Sequence, residues 1–244
     1  MQKRSVTVAN DYFRFKGFTI RQERTAMKVG TDGVLLGSWA PAPDRGRILD
    51  VGSGTGLIAI MMAQRCGARV TALEIDRDAF QQARENIENC IWHHRIDLIH
   101  QSFQDYCKSH TGAFDVIVSN PPWFRNALSS PSSGRNKARH SSFLPWGDLL
   151  EGSSRLLKDS GVLSLILPYQ EAGELITEAE KRKLYCTGRM NIRPNIRKAP
   201  KRVMMNLGFT QRHTREETIA IEKDQRHHFT PAYRHLTKSF YLYF

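Results

Sequence analysis

A short apolar strand followed at once by a glycine-rich turn and a second apolar stretch most constrains the fold of this chain. Arg47–Val51 has the pattern of a buried strand, Gly52-Ser53-Gly54-Thr55-Gly56 follows it, and residues 57–64 have the pattern of a helix. Glycines at such a turn let a ligand approach the backbone closely, and the helix N-terminus offers unpaired N–H groups. The G-x-G-x-G spacing differs from the G-x-G-x-x-G of dinucleotide-binding proteins. The sequence therefore predicts an α/β fold with a ligand site of a different kind.

The tetrapeptide Asn120-Pro121-Pro122-Trp123 ends a second apolar run. Each proline fixes its own φ and restricts the residue before it, so two oxygens are predicted to stay in place: the side-chain oxygen of Asn120 and the carbonyl oxygen of Pro121. A planar amino group has two protons to donate, and this pair of acceptors can hold both while Trp123 stacks on the ring. Taken alone, the tetrapeptide is also compatible with a simple strand end, because Asn and Pro are common turn residues.

A carboxylate, Glu74, ends the next predicted strand, residues 69–73. Doubly wound folds place an acid in this position to accept the ribose hydroxyls of a nucleotide. Asp76 has the position of a helix N-cap. The glycine turn, Glu74 and Asn120 thus follow the first, second and fourth strands of one βαβ series. Because the carboxyl ends of parallel strands meet at one sheet edge, where ligands bind, these three features are predicted to line one crevice.

These motifs resemble those of a known enzyme family. LDVGSGTG at 49–56, Glu74 and NPPW at 120–123 look like the cofactor and target motifs of class I S-adenosylmethionine-dependent methyltransferases that act on amino nitrogens of nucleobases. Residues 18–37 are similar to the N-terminal region of the bacterial tRNA1(Val) adenine-N6 methyltransferases. Further signatures of that family stand at 201–205, 232–233 and 240–242. The resemblance covers nearly the whole chain.

The resemblance implies a Rossmann-like α/β fold with a seven-stranded, mostly parallel sheet. Two predicted strands, near residues 186–192 and 202–209, have no helix between them, which predicts an antiparallel C-terminal hairpin at the sheet edge. One domain, 1–244, is expected, in which residues 1–45 cap the cofactor site of a core at 46–244. Thr31 and Asp32 are predicted to cap a helix in the N-terminal segment.

The resemblance also implies the activity and its residues. The expected reaction transfers a methyl group from S-adenosylmethionine to N6 of the adenine 3′ of the anticodon in a valine tRNA. Catalysis is assigned to Asn120, Pro121, Pro122 and Trp123. The cofactor site is assigned to Lys28, Thr31, Asp50, Gly52, Ser53, Gly54, Gly56, Glu74, Ile75, Ser102, Phe103 and Asn120. Many family members carry an acid where Ser102 stands; here its hydroxyl can hydrogen-bond and Phe103 can pack on the adenine ring of the cofactor.

Basic residues cluster on both sides of the predicted target pocket in chain order. Nine cations and no carboxylate lie between residues 181 and 202, and a second acid-free stretch follows Trp123 in a predicted loop, 125–142. A single such cluster is usually a solvated face, but two of them in a chain of net charge +12 suit a phosphate backbone. The residues assigned to RNA binding are Phe124, Arg125, Arg135, Lys137, Arg139, Arg197, Lys198, Lys201 and Arg202.

Composition adds further expectations. No apolar run approaches membrane-spanning length, the N-terminus lacks the apolar core of a signal peptide, and the four cysteines show no C-x-x-C spacing. A cytoplasmic protein without a metal ion or a membrane partner is therefore expected. The resemblance implies the anticodon loop of tRNA as the partner, and a monomer is expected.

Four other functions remain open from the sequence. A ribosomal RNA guanine-N2 methyltransferase and a protein glutamine-N5 methyltransferase use a similar Asn-Pro-Pro-aromatic motif, because both act on a planar amino group. An RNA-binding protein without turnover and a nicotinamide-dependent reductase with an unusual glycine turn are further alternatives, since a fold alone does not define a function.

Overall fold

An eight-stranded sheet with helices packed on both faces forms the centre of the protein. The computed structural model describes residues 10–25, 27–121 and 144–243. Within these residues the strands are β1 (Tyr12–Arg14), β2 (Thr19–Arg21), β3 (Arg47–Val51), β4 (Arg69–Glu74), β5 (Ile96–His100), β6 (Phe114–Ser119), β7 (Leu157–Pro168), β8 (Tyr185–Asn195), β9 (Arg202–Gly208) and β10 (Arg215–Glu222). The helices are α1 (Thr31–Trp39), α2 (Leu57–Arg65), α3 (Arg77–Glu88), α4 (Phe103–Ser109), α5 (Trp146–Leu156), α6 (Ala172–Glu180) and α7 (Pro231–Thr237).

The strand order is β10-β8-β9-β7-β6-β3-β4-β5. The five strands from β3 to β7 are parallel to one another, whereas β9 is antiparallel to both of its neighbours, β7 and β8. The predicted α/β fold, with a mostly parallel sheet and an antiparallel pair near the C-terminus, is confirmed. The order reverses at β3, which lies between β4 and β6, and ligands bind open α/β sheets at such a point.

The predicted count of seven strands is wrong, because β10 adds an eighth, paired parallel with β8. The β8–β9 hairpin therefore lies inside the sheet, and β10 forms its edge. β10 was missed because it begins with the charged residues Arg215, Glu216 and Glu217 and buries none of its side chains fully, which weakens the apolar signal of a strand.

The helices cover two separate apolar cores, one on each face of the sheet. Residues of α1, α2, α3 and α7 pack on one face, and residues of α4, α5 and α6 pack on the other. Successive residues of a strand point to opposite faces, so Ile48 joins the first core and Leu49 the second. Burial on both faces explains why the central strands read as continuous apolar runs.

The N-terminal hairpin β1–β2 lies outside the main sheet and packs against α3. The side-chain oxygen of Asn86 accepts a hydrogen bond from the Arg21 N–H at 2.8 Å. The Asn86 amide nitrogen donates to the carbonyls of Arg21 and Thr55, both at 2.9 Å. One buried amide on α3 therefore joins the N-terminal hairpin to the glycine turn.

Candidate active site

The glycine turn between β3 and α2 has a bare backbone on one side. Gly52, Gly54 and Gly56 have φ values of 71°, 56° and 79°, which side chains other than glycine rarely adopt. A Cβ atom added at Gly52 or Gly54 would meet nothing within 4 Å. The N–H groups of Gly52 and Ser53 donate to the Leu73 carbonyl at 3.0 and 2.9 Å, which fixes the turn to the end of β4. The turn is therefore held in place and open to a ligand.

Glu74 lies beside this turn at the end of β4, with 7% of its surface exposed. Its Oε2 accepts from the Gly54 N–H at 2.7 Å, and its Oε1 accepts from the N–H groups of Ile75 and Asp76 at 2.9 and 2.8 Å. Burial raises the pKa of Glu74, and the three N–H donors oppose that shift. A carboxylate has about four acceptor positions, so the geometry leaves one of them for a hydroxyl group.

Two polar atoms near the turn are buried and have no hydrogen-bond partner among the described residues. They are Oδ1 of Asp50 and the hydroxyl oxygen of Ser53. The other carboxylate oxygen of Asp50 accepts from the Ala59 N–H at 3.0 Å. Burial raises the pKa of Asp50 to about 7, and the nearby charge of Glu74 adds to that shift. Orphaned polar atoms are rare in folded proteins, so this site fits a ligand that supplies a donor.

Asn120 and Pro121 follow β6 at the same edge of the sheet. Ser119 donates from its hydroxyl to the Val51 carbonyl at 2.9 Å, which ties the end of β6 to the end of β3. Asn120 is half-buried and Pro121 is buried. A Cβ atom at Gly33, in the first turn of α1, would lie 3.9 Å from the amide nitrogen of Asn120. The structure therefore brings the glycine turn, Asn120 and the start of α1 together.

The predicted helix cap at Thr31 and Asp32 is wrong, because the helix begins earlier in the chain. α1 begins at Thr31, its N-cap is Gly30, and no side chain caps its first turn. Asp32 instead forms a salt bridge with Arg202, at 2.8 Å between Oδ2 and Nε. Lys28, assigned to the cofactor, donates from its ammonium group to the Gln22 carbonyl at 3.0 Å. Both contacts fix the chain next to the site, and neither could be recognised from the local residue pattern.

Ser102 and Phe103 have structural partners. The Ser102 hydroxyl caps α4, accepting from the Asp105 N–H at 3.0 Å and donating to the Asp105 carboxylate at 2.7 Å. Phe103 is 5% exposed and packs against Gly152 of α5 in the second core. Their contact with a cofactor stays a prediction, and the burial of Phe103 favours a packing role.

Two of the cations assigned to RNA are paired with carboxylates. Arg197 contacts Asp224 at 2.8 Å, and Arg202 contacts Asp32 as described above. Lys198 and Lys201 are exposed in the turn between β8 and β9. Seven assigned residues, together with the predicted 125–142 loop, lie outside the described residues: Pro122, Trp123, Phe124, Arg125, Arg135, Lys137 and Arg139.

The structure also bears on disulfides, membrane spans and metal sites. All four cysteines are buried free thiols. Within residues 10–25, 27–121 and 144–243, no helix combines the length and the apolar character needed to cross a bilayer. The same part of the chain contains no group of three or more His, Cys, Asp or Glu side chains arranged to hold a metal ion.

Comparison with known proteins identifies the family. A family model described as "Methyltransferase small domain" matches residues 26–176. The tRNA1(Val) (adenine(37)-N6)-methyltransferase of Bacteroides fragilis is 42% identical over 236 residues, which cover 96% of this chain and 99% of that protein. The chain belongs to the tRNA1(Val) (adenine(37)-N6)-methyltransferase family. The protein of that name from Trichodesmium erythraeum is 41% identical over 238 residues, 96% of this chain and 99% of the relative.

Solved structures show that this methyltransferase family member has a widespread fold. A predicted O-methyltransferase from Agrobacterium tumefaciens superposes with a TM-score of 0.67 at 22% identity, covering 86% of this chain and 96% of that one. TYW2 of Pyrococcus horikoshii, solved in complex with MeSAdo, gives a TM-score of 0.57 at 15% identity, over 82% of this chain and 71% of that one. At these identities the likeness concerns the fold alone.

Proposed function

We propose that this protein transfers the methyl group of S-adenosylmethionine to N6 of an adenine in tRNA, namely the adenine 3′ of the anticodon in a valine tRNA. One observation carries the proposal: Asn120 and Pro121 follow β6 at the sheet edge where the glycine turn of β3 presents a bare backbone. The names of the curated relatives, which align over almost the whole chain, support the same substrate.

The residues around the glycine turn fit S-adenosylmethionine. The free acceptor position of Glu74 suits a ribose hydroxyl, and the bare turn at Gly52 and Gly54 admits a ligand against the backbone. The unpartnered Oδ1 of Asp50 and the hydroxyl of Ser53 suit the polar groups of the amino-acid part. When bound, S-adenosylmethionine supplies an electrophilic methyl group on a sulfonium centre.

Asn120 and Pro121 would prepare the target nitrogen for attack. The lone pair of adenine N6 is delocalised into the ring, which makes the amino group planar and a weak nucleophile. If the Asn120 side-chain oxygen and the Pro121 carbonyl each accept one of its protons, they return electron density to nitrogen and favour its pyramidal transition state over the planar ground state. The methylated nitrogen is strongly acidic and loses its proton readily, so no base with a tuned pKa is needed.

The target adenine must leave its stack to reach Asn120. Unstacking costs least in a loop, and the anticodon loop meets that condition. Stacking of the base on Trp123 would repay about 1–3 kcal/mol of this cost. The net charge of +12 favours a polyanionic substrate such as tRNA, and we propose that the reaction takes place in the cytoplasm.

We also propose that residues 1–244 act as one domain. The hydrogen bonds of Asn86 join the N-terminal hairpin to the glycine turn, and the Asp32–Arg202 pair joins α1 to β9. These contacts support the view that the N-terminal segment, residues 1–45, covers the cofactor site of the core.

The full-length protein, incubated with methyl-labelled S-adenosylmethionine and separately with tRNA, ribosomal RNA and a release factor, tests the proposal. We expect label in tRNA, found as N6-methyladenosine after digestion to nucleosides. Label in N2-methylguanosine or in a protein glutamine would support the two alternative methyltransferases instead. Cofactor binding measured by calorimetry without label transfer to any of the three would contradict all of these enzymes.

A further inference from the structure

The loop that follows β10, residues 223–228, places a second group of cations at the same sheet edge as Asn120. β8 and β10 are parallel to each other, and both are antiparallel to β9, as β7 is. Their carboxyl ends therefore lie at the edge where β6 ends. Lys223 and Arg226 are exposed in this loop, and neither forms a salt bridge within the described residues. The sequence alone assigned the loop no role.

Hydrogen bonds give this loop a defined shape. His227 has a φ of 65°, which is uncommon outside glycine. Its N–H donates to the Glu222 carboxylate at 2.8 Å, and the Lys223 N–H donates to the His228 carbonyl at 2.7 Å. A bridge between Glu222 and Phe229 closes the base of the loop. The loop therefore presents its cations from a fixed backbone.

The same loop is fastened to the turn between β8 and β9. Arg197 contacts Asp224 at 2.8 Å, and the Ile196 N–H donates to the Glu222 carbonyl at 3.1 Å. Arg197 thus links the two loops, and its charge is largely balanced. Together the two loops, residues 196–201 and 223–228, carry five cations and one carboxylate, Asp224. We call the four cations without a carboxylate partner among the described residues the basic ridge: Lys198, Lys201, Lys223 and Arg226.

The sheet order sets the distance from the ridge to the target pocket. β7, β9 and β8 lie between β6 and β10. Neighbouring strands are about 4.8 Å apart, so the ridge begins roughly 10 Å from the end of β6, at Lys201 before β9, and extends to roughly 19 Å at the end of β10. An RNA stem-loop that inserts one loop base at Asn120 has backbone phosphates at such distances on the adjoining stem.

We infer that the basic ridge binds phosphate groups of the RNA stem that adjoins the target loop. This inference rests on the proposed function, because it takes the Asn120 pocket as the position of the target base. Contacts of this kind are electrostatic, independent of base sequence and weakened by salt. They hold the stem while the loop base enters the pocket.

The chain contains a natural control for this inference. Gln225-Arg226-His227 follows β10, and the same three residue types, Gln211-Arg212-His213, precede it. Arg212 is exposed, like Arg226, but it lies at the opposite edge of the sheet. Arg45, also exposed, precedes β3 at that opposite edge. The two pairs of cations therefore differ mainly in the edge at which they lie.

The test compares Lys223→Ala/Arg226→Ala with Arg45→Ala/Arg212→Ala, which remove equal charge. Binding of tRNA is measured by fluorescence anisotropy between about 50 and 200 mM salt, and the slope of log K against log salt is determined for each protein. We expect the ridge variant to bind about threefold to tenfold more weakly than wild type near physiological salt, with a slope smaller by about 2. The control variant should keep the wild-type affinity and slope. Steady-state methyl transfer should show a raised KM for tRNA in the ridge variant.

Equal affinities and slopes for the ridge and control variants would overturn the inference, and so would a loss of kcat with an unchanged KM. The proposed function fails separately: wild-type protein would then transfer no methyl group to tRNA, whatever the binding data show. Lys201→Ala, on the other loop of the ridge, gives an independent check. An unchanged salt slope in that variant as well would mean that the ridge is only a solvated face.

Discussion

The two halves of the candidate site are built by different means. At the ends of β3 and β4, buried carboxylates and backbone N–H groups hold one another: Glu74 accepts three hydrogen bonds, and Asp50 is 1% exposed. At the ends of β8 and β10, exposed lysine and arginine side chains stand on hydrogen-bonded loops. The difference suits the two ligands proposed above, because a small cofactor needs a preformed, dry cavity, whereas a phosphate backbone needs charge at the surface. Asn120 lies between the halves.

Of all the changes considered, replacing Asn120, which lies between the two halves, should lower activity most. We expect Asn120→Ala to lower kcat by about 10³-fold, because one acceptor of the target amino group is lost. Cofactor affinity, measured by calorimetry, should stay within a few-fold of wild type. Asn89→Ala, at the end of α3, is the control and should keep full activity. Substantial turnover by Asn120→Ala would show that Asn120 has no part in the mechanism. The position of Asn120 between the cofactor half and the RNA half would then have no functional meaning.

The next largest effect concerns the buried charge of the cofactor half. The pKa of Asp50 is raised to about 7 in the folded protein, well above its unfolded value of about 3.9. The folded state therefore holds a proton that the unfolded state has lost, and stability falls as pH rises between these two values. We expect the cofactor-free wild type to lose about 2–3 kcal/mol more of its free energy of unfolding than Asp50→Asn between about pH 5 and pH 7.5. Urea denaturation of both proteins measures this difference, and parallel pH profiles would show that Asp50 does not titrate in this range.

A smaller effect is expected from an isosteric change at Glu74. In Glu74→Gln an amide nitrogen replaces one carboxylate oxygen. This nitrogen is a hydrogen-bond donor, and it would face a backbone N–H group that donates to the carboxylate in the wild type. We expect the dissociation constant for S-adenosylmethionine to rise by about tenfold, since a lost hydrogen bond to a charged group costs about 1.5–3 kcal/mol. Glu178→Gln, which removes a partly exposed carboxylate paired with Lys181, is the control. Calorimetry that finds equal affinities for the two variants would exclude Glu74 from the cofactor site.

The smallest effect is expected from removing two lysines of the RNA half. Lys198→Ala/Lys201→Ala should weaken tRNA binding by about threefold to tenfold and lower its salt slope by about 2. The affinity for S-adenosylmethionine should not change, because these side chains lie on the β8–β9 turn, away from the ends of β3 and β4. If calorimetry found weakened cofactor binding in this variant, the two halves could not be treated as separate.

Local patterns were enough to predict that the residues of the candidate site meet at one edge of the sheet. The glycine turn, Glu74 and Asn120 each follow an apolar strand, and parallel pairing of β3 with β4 and β6 brings these strand ends together. The prediction that Asp76 caps α3 is also confirmed. Its side chain accepts a hydrogen bond from the Ala79 N–H at 2.8 Å. Such features depend on a few neighbouring residues and on the twofold or 3.6-fold period of side chains.

Contacts between distant parts of the chain could not be predicted in this way. Asn86 stands on the buried side of an amphipathic helix, where a polar residue is a weak signal that something must satisfy it, but its partners Arg21 and Thr55 are 65 and 31 residues away. The Asp32–Arg202 pair spans 170 residues. Helical spacing indicates ion pairs three or four residues apart, such as Lys181 with Glu178, but it gives no information about pairs as distant in the chain as Asp32 and Arg202.

Residue patterns along the chain were enough to predict the fold class, the edge of the sheet on which the candidate site lies and the chemical types gathered there, because strand ends and glycine turns each involve only neighbouring residues. The pairing of β10 with β8 and the salt bridges of Arg197 and Arg202 could be found only in the folded molecule. The tertiary structure also placed the loop after β10 at the same edge as Asn120. Strand pairing and ion pairing are set by packing across the whole molecule, where partners far apart in the chain meet.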